Sequence, residues 1–155
     1  MMKLIAVGKL KEHALEALVA EYAARLKPFV KLQLIEVKDE PNFDDDARNA
    51  HAMALEAERI LRAIDPKERV VLLDVSGQDI DSIGVSALIE SAQVRAQKLC
   101  FVIGGSLGVD ARVRERADLR WSLSSNTFPH GLVRVMVLEQ IYRGFKILHR
   151  QNYHK

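Results

Sequence analysis

Three short stretches, KLIAVG (3–8), VVLLDV (70–75) and LCFVIG (99–104), are apolar at nearly every position. Each reads as a strand buried in a core, and segments of helical period lie between them. Leu10 to Lys27 carries Ala14, Leu15, Leu18, Val19, Tyr22 and Leu26 at helical spacing, and Pro28 ends that helix. Leu32, Leu34, Ile35 and Val37 suggest a further strand. PNFDDDARN is a polar break, and Asp44 to Asp46 are placed to cap a helix that runs to about Ile64. Ser76-Gly77 is expected to turn the VVLLDV strand, and Asp81 or Ser82 to cap a helix reaching about Gln97. A short helix capped by Asp110 follows the glycines at 104–108. LRWSLS (119–124) is the last strand, and His130 to about Leu148 the last helix. Strands alternating with helices predict an α/β domain with a largely parallel sheet. The 155 residues suit a single domain, 1–155, with a sizeable core.

No apolar run approaches the roughly 20 residues of a membrane span. The opening MMKLIAVGKLKEH lacks the apolar core of a secretory signal. The single cysteine, Cys100, excludes an internal disulfide framework. Its place in LCFVIG predicts a buried thiol in a cytoplasmic protein rather than a nucleophile. The net charge of +2 hides an asymmetry. Residues 112–155 hold 9 Lys+Arg against 3 Asp+Glu, with three of the five histidines. A basic C-terminal third fits either a polyanionic partner, nucleic acid first, or a merely solvated surface.

Ligands of such sheets bind beyond the carboxyl ends of the strands. Three segments qualify: Leu73 to Gly77, Gly104 to Gly108 and Leu123 to His130. If adjacent, they form one cleft. Gly104 and Gly105 allow close backbone approach. Ser124, Ser125, Asn126 and Thr127 offer hydroxyls, an amide and N–H groups, while Leu73 and Phe128 offer apolar surface for a flat ring. Pro129 stiffens the entry to the last helix. There is no GxxxxGK[ST] and no GxGxxG after the first strand, and no His/Cys/Asp/Glu cluster has metal-ligand spacing. Polar groups with apolar walls and no triphosphate cradle suit a nucleoside, although plain turn chemistry remains open.

VLLDVSG, FVIGGSLG, WSLSSNTFPHGLVRVMVLEQIYRGFKI, the terminal NYHK and the opening KLIAVGKLKE together resemble the RlmH family. These are SPOUT-class methyltransferases of pseudouridine in large-subunit (23S) ribosomal RNA. The resemblance covers essentially the whole chain. It implies a mostly parallel sheet flanked by helices with a C-terminal trefoil knot, which general topology rules disfavour. It also implies S-adenosylmethionine as methyl donor with no metal, N3 of a pseudouridine as acceptor, ribosomal RNA or the ribosome as partner, and a homodimer. Carried over by motif, the donor site comprises Leu73, Gly105 and Ser124, Ser125, Asn126, Thr127, Phe128 and Pro129.

N3 carries a proton, so a base or an anion-stabilising cation is expected beside it. Candidates lie in the C-terminal third: His154, which the resemblance favours, Tyr153 and Arg143. His154 could accept the proton, or sit in a frayed terminus. Tyr153 could orient the base, or simply pack. Arg143 could stabilise negative charge, or pair with Glu139 four residues earlier. His130 could act in the cleft or cap its helix, and Arg134 could reach RNA or a partner subunit. The last helix is apolar on more than one stripe, which predicts a subunit interface; burial within one chain is the alternative. Rival readings are a SPOUT methyltransferase acting on a tRNA ribose, and a non-catalytic RNA-binding module.

Overall fold

A computed structural model describes residues 1–155. In chain order the elements are β1 (Met2–Val7), α1 (His13–Leu26), β2 (Leu32–Val37), α2 (Asp46–Ala63), β3 (Arg69–Asp79), α3 (Ser82–Val94), β4 (Leu99–Ile103), α4 (Ala111–Arg116), β5 (Leu119–Ser122) and α5 (His130–Leu148). Every strand pairing is parallel, and the sheet order is β2-β1-β4-β3-β5.

Alternation along the strands splits the core in two, as the two-residue period of a strand requires. Met2, Leu4, Ala6, Leu99, Phe101 and Ile103 point to the side covered by α1, α3 and α5. Ile5, Val7, Val70, Leu72, Cys100 and Val102 point to the side covered by α2 and α4. Both faces are therefore buried, which is why these strands are apolar throughout. The expected caps form: Asp45, Asp81 and Asp110 each accept backbone N–H bonds at the starts of α2, α3 and α4.

One expectation is corrected. Ser76-Gly77 does not end β3, which continues to Asp79. Leu73 and Gln78 both register with Trp121 of β5, so Asp74 to Gly77 bulge out of the pairing. Asp74 Oδ1 accepts from the backbone N–H and the hydroxyl of Ser76 at 3.0 and 2.8 Å, closing the local bend. Gly77 is required because a Cβ there would lie 2.6 Å from the carbonyl carbon of Arg120. The polar signal was real, but the partner strand β5 recaptured the chain beyond it.

Candidate functional site

Because β4, β3 and β5 are neighbours and parallel, their carboxyl ends lie side by side. The β3 bulge, the 104–108 loop and the 123–130 loop enclose a cleft of about 380 Å³. Leu73, Leu107 and Phe128 supply apolar wall, while Ser124, Asn126 and Thr127 supply polar groups. The last loop is shaped from within. Asn126 N–H donates to Ser124 Oγ at 3.0 Å, and Ser122 Oγ donates to the Ser124 carbonyl at 3.0 Å. The Gly104 loop closes through Gly108 N–H to the Gly105 carbonyl at 3.0 Å, with Gly108 at φ +86°. A Cβ on Gly104 would lie 2.6 Å from Val109 Cγ1, so this backbone packs where no side chain fits.

Leu73, Gly105, Ser124, Asn126, Thr127 and Phe128 all line the cleft. Ser125 and Pro129 do not. Ser125 is exposed at the loop tip, and Pro129 is the N-cap of α5, its carbonyl accepting from Val133 N–H at 3.1 Å. His130, the first residue of α5, is exposed at the rim.

Sequence reasoning passed over Asp74 and Arg114, which also line the cleft. Asp74 Oδ2 is buried without a hydrogen bond, 3.5 Å from Arg114 Nε and 3.6 Å from Arg120 NH1. Burial alone would raise its pKa. The two bonds from Ser76, then the two guanidiniums, outweigh that and hold the carboxyl below the usual range. The one signal in the sequence was an acid within the otherwise apolar VVLLDV.

The three candidates near the C-terminus form a second cluster. Arg143 Nε and NH2 donate to Glu139 Oε1 at 2.9 and 2.5 Å, and Tyr153 OH donates to the same oxygen at 3.2 Å. The Arg143 guanidinium lies 4.7 Å from the Tyr153 ring centre, and its NH1 is 3.4 Å from His154 Nδ1. The tail is thus no frayed end. Arg150, at φ +55°, turns it back along α5, with Gln151 N–H bonded to the Lys146 carbonyl. The Glu139 hydrogen bond raises the Arg143 pKa. Burial, with Tyr22 and Glu139 adding to it, pushes the Tyr153 phenol well above its usual value.

The two clusters do not meet within one chain. His130 and Val133 touch the cleft, whereas Arg143 lies ten residues beyond Val133, about 15 Å along the helix axis. A groove of about 540 Å³ past Met136 and Glu139 lies between them and shares Trp121 and Leu123 with the cleft.

Two further expectations are revised. Arg134 is turned into the chain rather than out to its surface. It is 4% exposed and donates to the carbonyls of Val7 and Gly8 at 3.1 and 2.7 Å and to Glu36 at 2.7 Å. Much of the apolarity of α5 is spent inside the chain, where Val137, Leu138, Ile141 and Phe145 are buried with α3 and α1 packed against the helix. Half-buried positions remain along the helix, among them a strip through Leu132, Met136 and Gln140. Cys100 is buried as expected, its thiol pushed up to about 12 by burial. No helix is long and apolar enough to cross a membrane.

A family model described as "Predicted SPOUT methyltransferase" matches residues 1–154. A protein of Desulfitobacterium hafniense named "Ribosomal RNA large subunit methyltransferase H" is 43% identical, over 99% of this chain and 98% of its own. One of the same name from Ruminiclostridium cellulolyticum is 44% identical, over 97% of this chain and 96% of its own. A solved structure of a probable methylase family protein from Haemophilus influenzae aligns with a TM-score of 0.58 at 12% identity, over 99% of this chain and 70% of that one, a likeness of fold alone. The parallel sheet, the cleft at its carboxyl edge and a match from one end of the chain to the other agree: the chain belongs to the SPOUT methyltransferase family.

Proposed function

We propose that the protein transfers a methyl group from S-adenosylmethionine to N3 of a pseudouridine in large-subunit ribosomal RNA, in the cytoplasm and on the assembled ribosome. The observation that carries the reading is the convergence of three strand-end segments on one cleft of nucleoside size, mixed in polarity and reached by close-packed glycine backbone. Full-length identity to relatives named for large-subunit rRNA methylation supports the choice of RNA.

The donor supplies an electrophilic methyl on sulfonium sulfur. Leu73, Leu107 and Phe128 would hold its adenine ring, and Gly105 with the 124–128 loop would bind its polar groups. Ser125 and Pro129 would serve by setting the loop's shape. Positioning of this kind is worth on the order of 7–11 kcal/mol of barrier. At the acceptor, His154 would take the N3 proton as the N–C bond forms and the S–C bond breaks, leaving S-adenosylhomocysteine and a protonated imidazole. Arg143 would stabilise negative charge on the pyrimidine as that proton leaves, and Tyr153 would orient the ring.

The separation of the two clusters favours a homodimer in which one chain's tail serves its partner's cleft. The half-buried strip at Leu132, Met136 and Gln140 is the contact this reading uses. The trefoil knot belongs to the same proposal. Its support is family membership, together with the placement of β5 beside β3 and the return of α5 between α1 and α3.

Labelled methyl transfer to ribosomes, free rRNA and tRNA tests the assignment. Label on N3 of an rRNA pseudouridine is expected, lost in Tyr153→Ala and His154→Ala. Label on a tRNA ribose would replace the acceptor, and no saturable heat with the donor in calorimetry would leave an RNA-binding module.

A further inference from the structure

We infer that the carboxyl end of α1, through Tyr22, Arg25 and Lys27, is part of the surface that grips the RNA backbone around the reacting base. This rests on the function proposed above and names a part of the protein that the basic C-terminal third does not contain.

The fold brings this segment against the tail cluster. The Tyr22 and Tyr142 ring centres are 6.3 Å apart, and the Tyr142 and Tyr153 centres 4.9 Å. The Arg25 guanidinium lies 5.1 Å from the Tyr22 ring centre and 5.8 Å from that of Tyr142, and Lys146 Nζ lies 5.8 Å from Tyr142 on its own account. Cations thus alternate with aromatic rings from the end of α1 to the end of α5. That pattern suits phosphates and unstacked bases together.

The charge count points the same way. Glu21 pairs with Arg25 and Glu139 with Arg143. Lys27, Lys146, Arg150 and Lys155 pair with no carboxylate. Arg25, Lys27, Arg150 and Lys155 are also exposed. A second copy of the chain is the other occupant of such a face, but a two-fold axis through it would set cations against cations. A polyanion is the partner of matching charge, and RNA is the polyanion the adjoining tail would act on.

The test is binding of the Arg25→Gln/Lys27→Gln double variant to purified ribosomes at several salt concentrations, with donor calorimetry and oligomeric state measured alongside. Ribosome affinity is expected to fall about tenfold, and the slope of log affinity against log salt to weaken by about 1 for each cation removed. Donor affinity and oligomeric state should hold. Arg25→Lys/Lys27→Arg should bind like the parent, and so should Arg62→Gln/Lys67→Gln, which removes two exposed cations from and just beyond α2 on the other side of the sheet. An unchanged affinity and salt slope in the first double variant would overturn the inference, as would an equal loss in the α2 variant or a loss explained by dimer dissociation. Binding is read apart from methyl transfer. A parent protein that binds ribosomes without methylating them would sink the proposed reaction, while the same comparison still decides the surface.

Discussion

Glu139 holds Arg143 through one oxygen, Oε1, which accepts from both Nε and NH2 at 2.9 and 2.5 Å. That oxygen also accepts from Tyr153, so a single carboxylate fixes two of the three groups assigned to the acceptor. The ion pair and a role at the base are therefore compatible, because NH1 is left free to face His154. Glu139→Gln should leave donor affinity near the parent value and lower kcat, by up to about a hundredfold if the guanidinium drifts by an ångström. Calorimetry and single-turnover rates separate the two. A raised donor Kd with unchanged kcat would remove Glu139 from this positioning role.

Tyr153 is the next test, because its phenol sits in a site that disfavours the charged form. Burial, reinforced by Tyr22 and Glu139, raises its pKa above the usual value near 10. The phenol therefore stays protonated through the neutral range and can donate to Glu139 but not act as the base. The pH profile of kcat in Tyr153→Phe should keep its shape while its height falls. Linkage gives a second readout. The folded state holds this proton more tightly than the unfolded state, so the stabilisation is complete below about pH 10 and is lost as pH rises through the folded value. Melting curves of the parent should fall more steeply above pH 10 than those of Tyr153→Phe.

Much of this was legible before the structure. The strands at 3–8, 70–75 and 99–104 carry their own period and length, and Asp45, Asp81 and Asp110 announce their helices, so the α/β order followed. The cleft-lining loop was legible as a polar SSNTF between two apolar elements, a pattern that turn chemistry alone also produces. What stayed hidden depends on tertiary pairing. No local signal shows that β5 recaptures β3 beyond Gly77. Nor does any show that Arg134 folds inward onto carbonyls more than a hundred residues earlier, or that Tyr22 lies against Tyr142.

The β3 bulge gives a third prediction. Gly77 lets β3 pass against the Arg120 backbone, with no space for a Cβ. Gly77→Ala must push the two strands apart and carry Leu73 to Val75, the cleft wall, with them. The expected loss is about 1–3 kcal/mol of stability, the usual range for overpacking. Donor affinity should weaken as well. A melting temperature and a donor Kd both at parent values would show that the strands slide without cost.

Arg134 gives the fourth. It ties the first half of α5 to the ends of β1 and β2, and Glu36 in turn accepts from Leu10 N–H at 2.9 Å. Glu36 is 44% exposed on its side chain, so the ion pair itself is screened and worth little. The larger cost of Arg134→Met is the loss of bonds to the Val7 and Gly8 carbonyls in a buried site, in all about 2–3 kcal/mol. Glu36→Gln, which keeps an acceptor for Arg134, should cost well under half of that in chemical denaturation. Equal losses would assign the stabilisation to the ion pair instead.

The separation of cleft and tail along α5 gives the last. If one chain's tail serves its partner's cleft, an Asn126→Ala/Thr127→Ala chain and a Tyr153→Ala/His154→Ala chain are each inactive as homodimers. A mixed dimer of the two is different, because the tail-altered chain offers an intact cleft to the intact tail of its partner. Random assortment makes about half the dimers mixed, each with one working site of two, so an equal mixture refolded together should recover about a quarter of parent activity. If cleft and tail of the same chain had to cooperate, every chain in the mixture would lack one half, and no activity would return at any ratio. Methyl transfer to ribosomes across a series of mixing ratios distinguishes these outcomes, since recovery through mixed dimers peaks at equal amounts and falls symmetrically on either side.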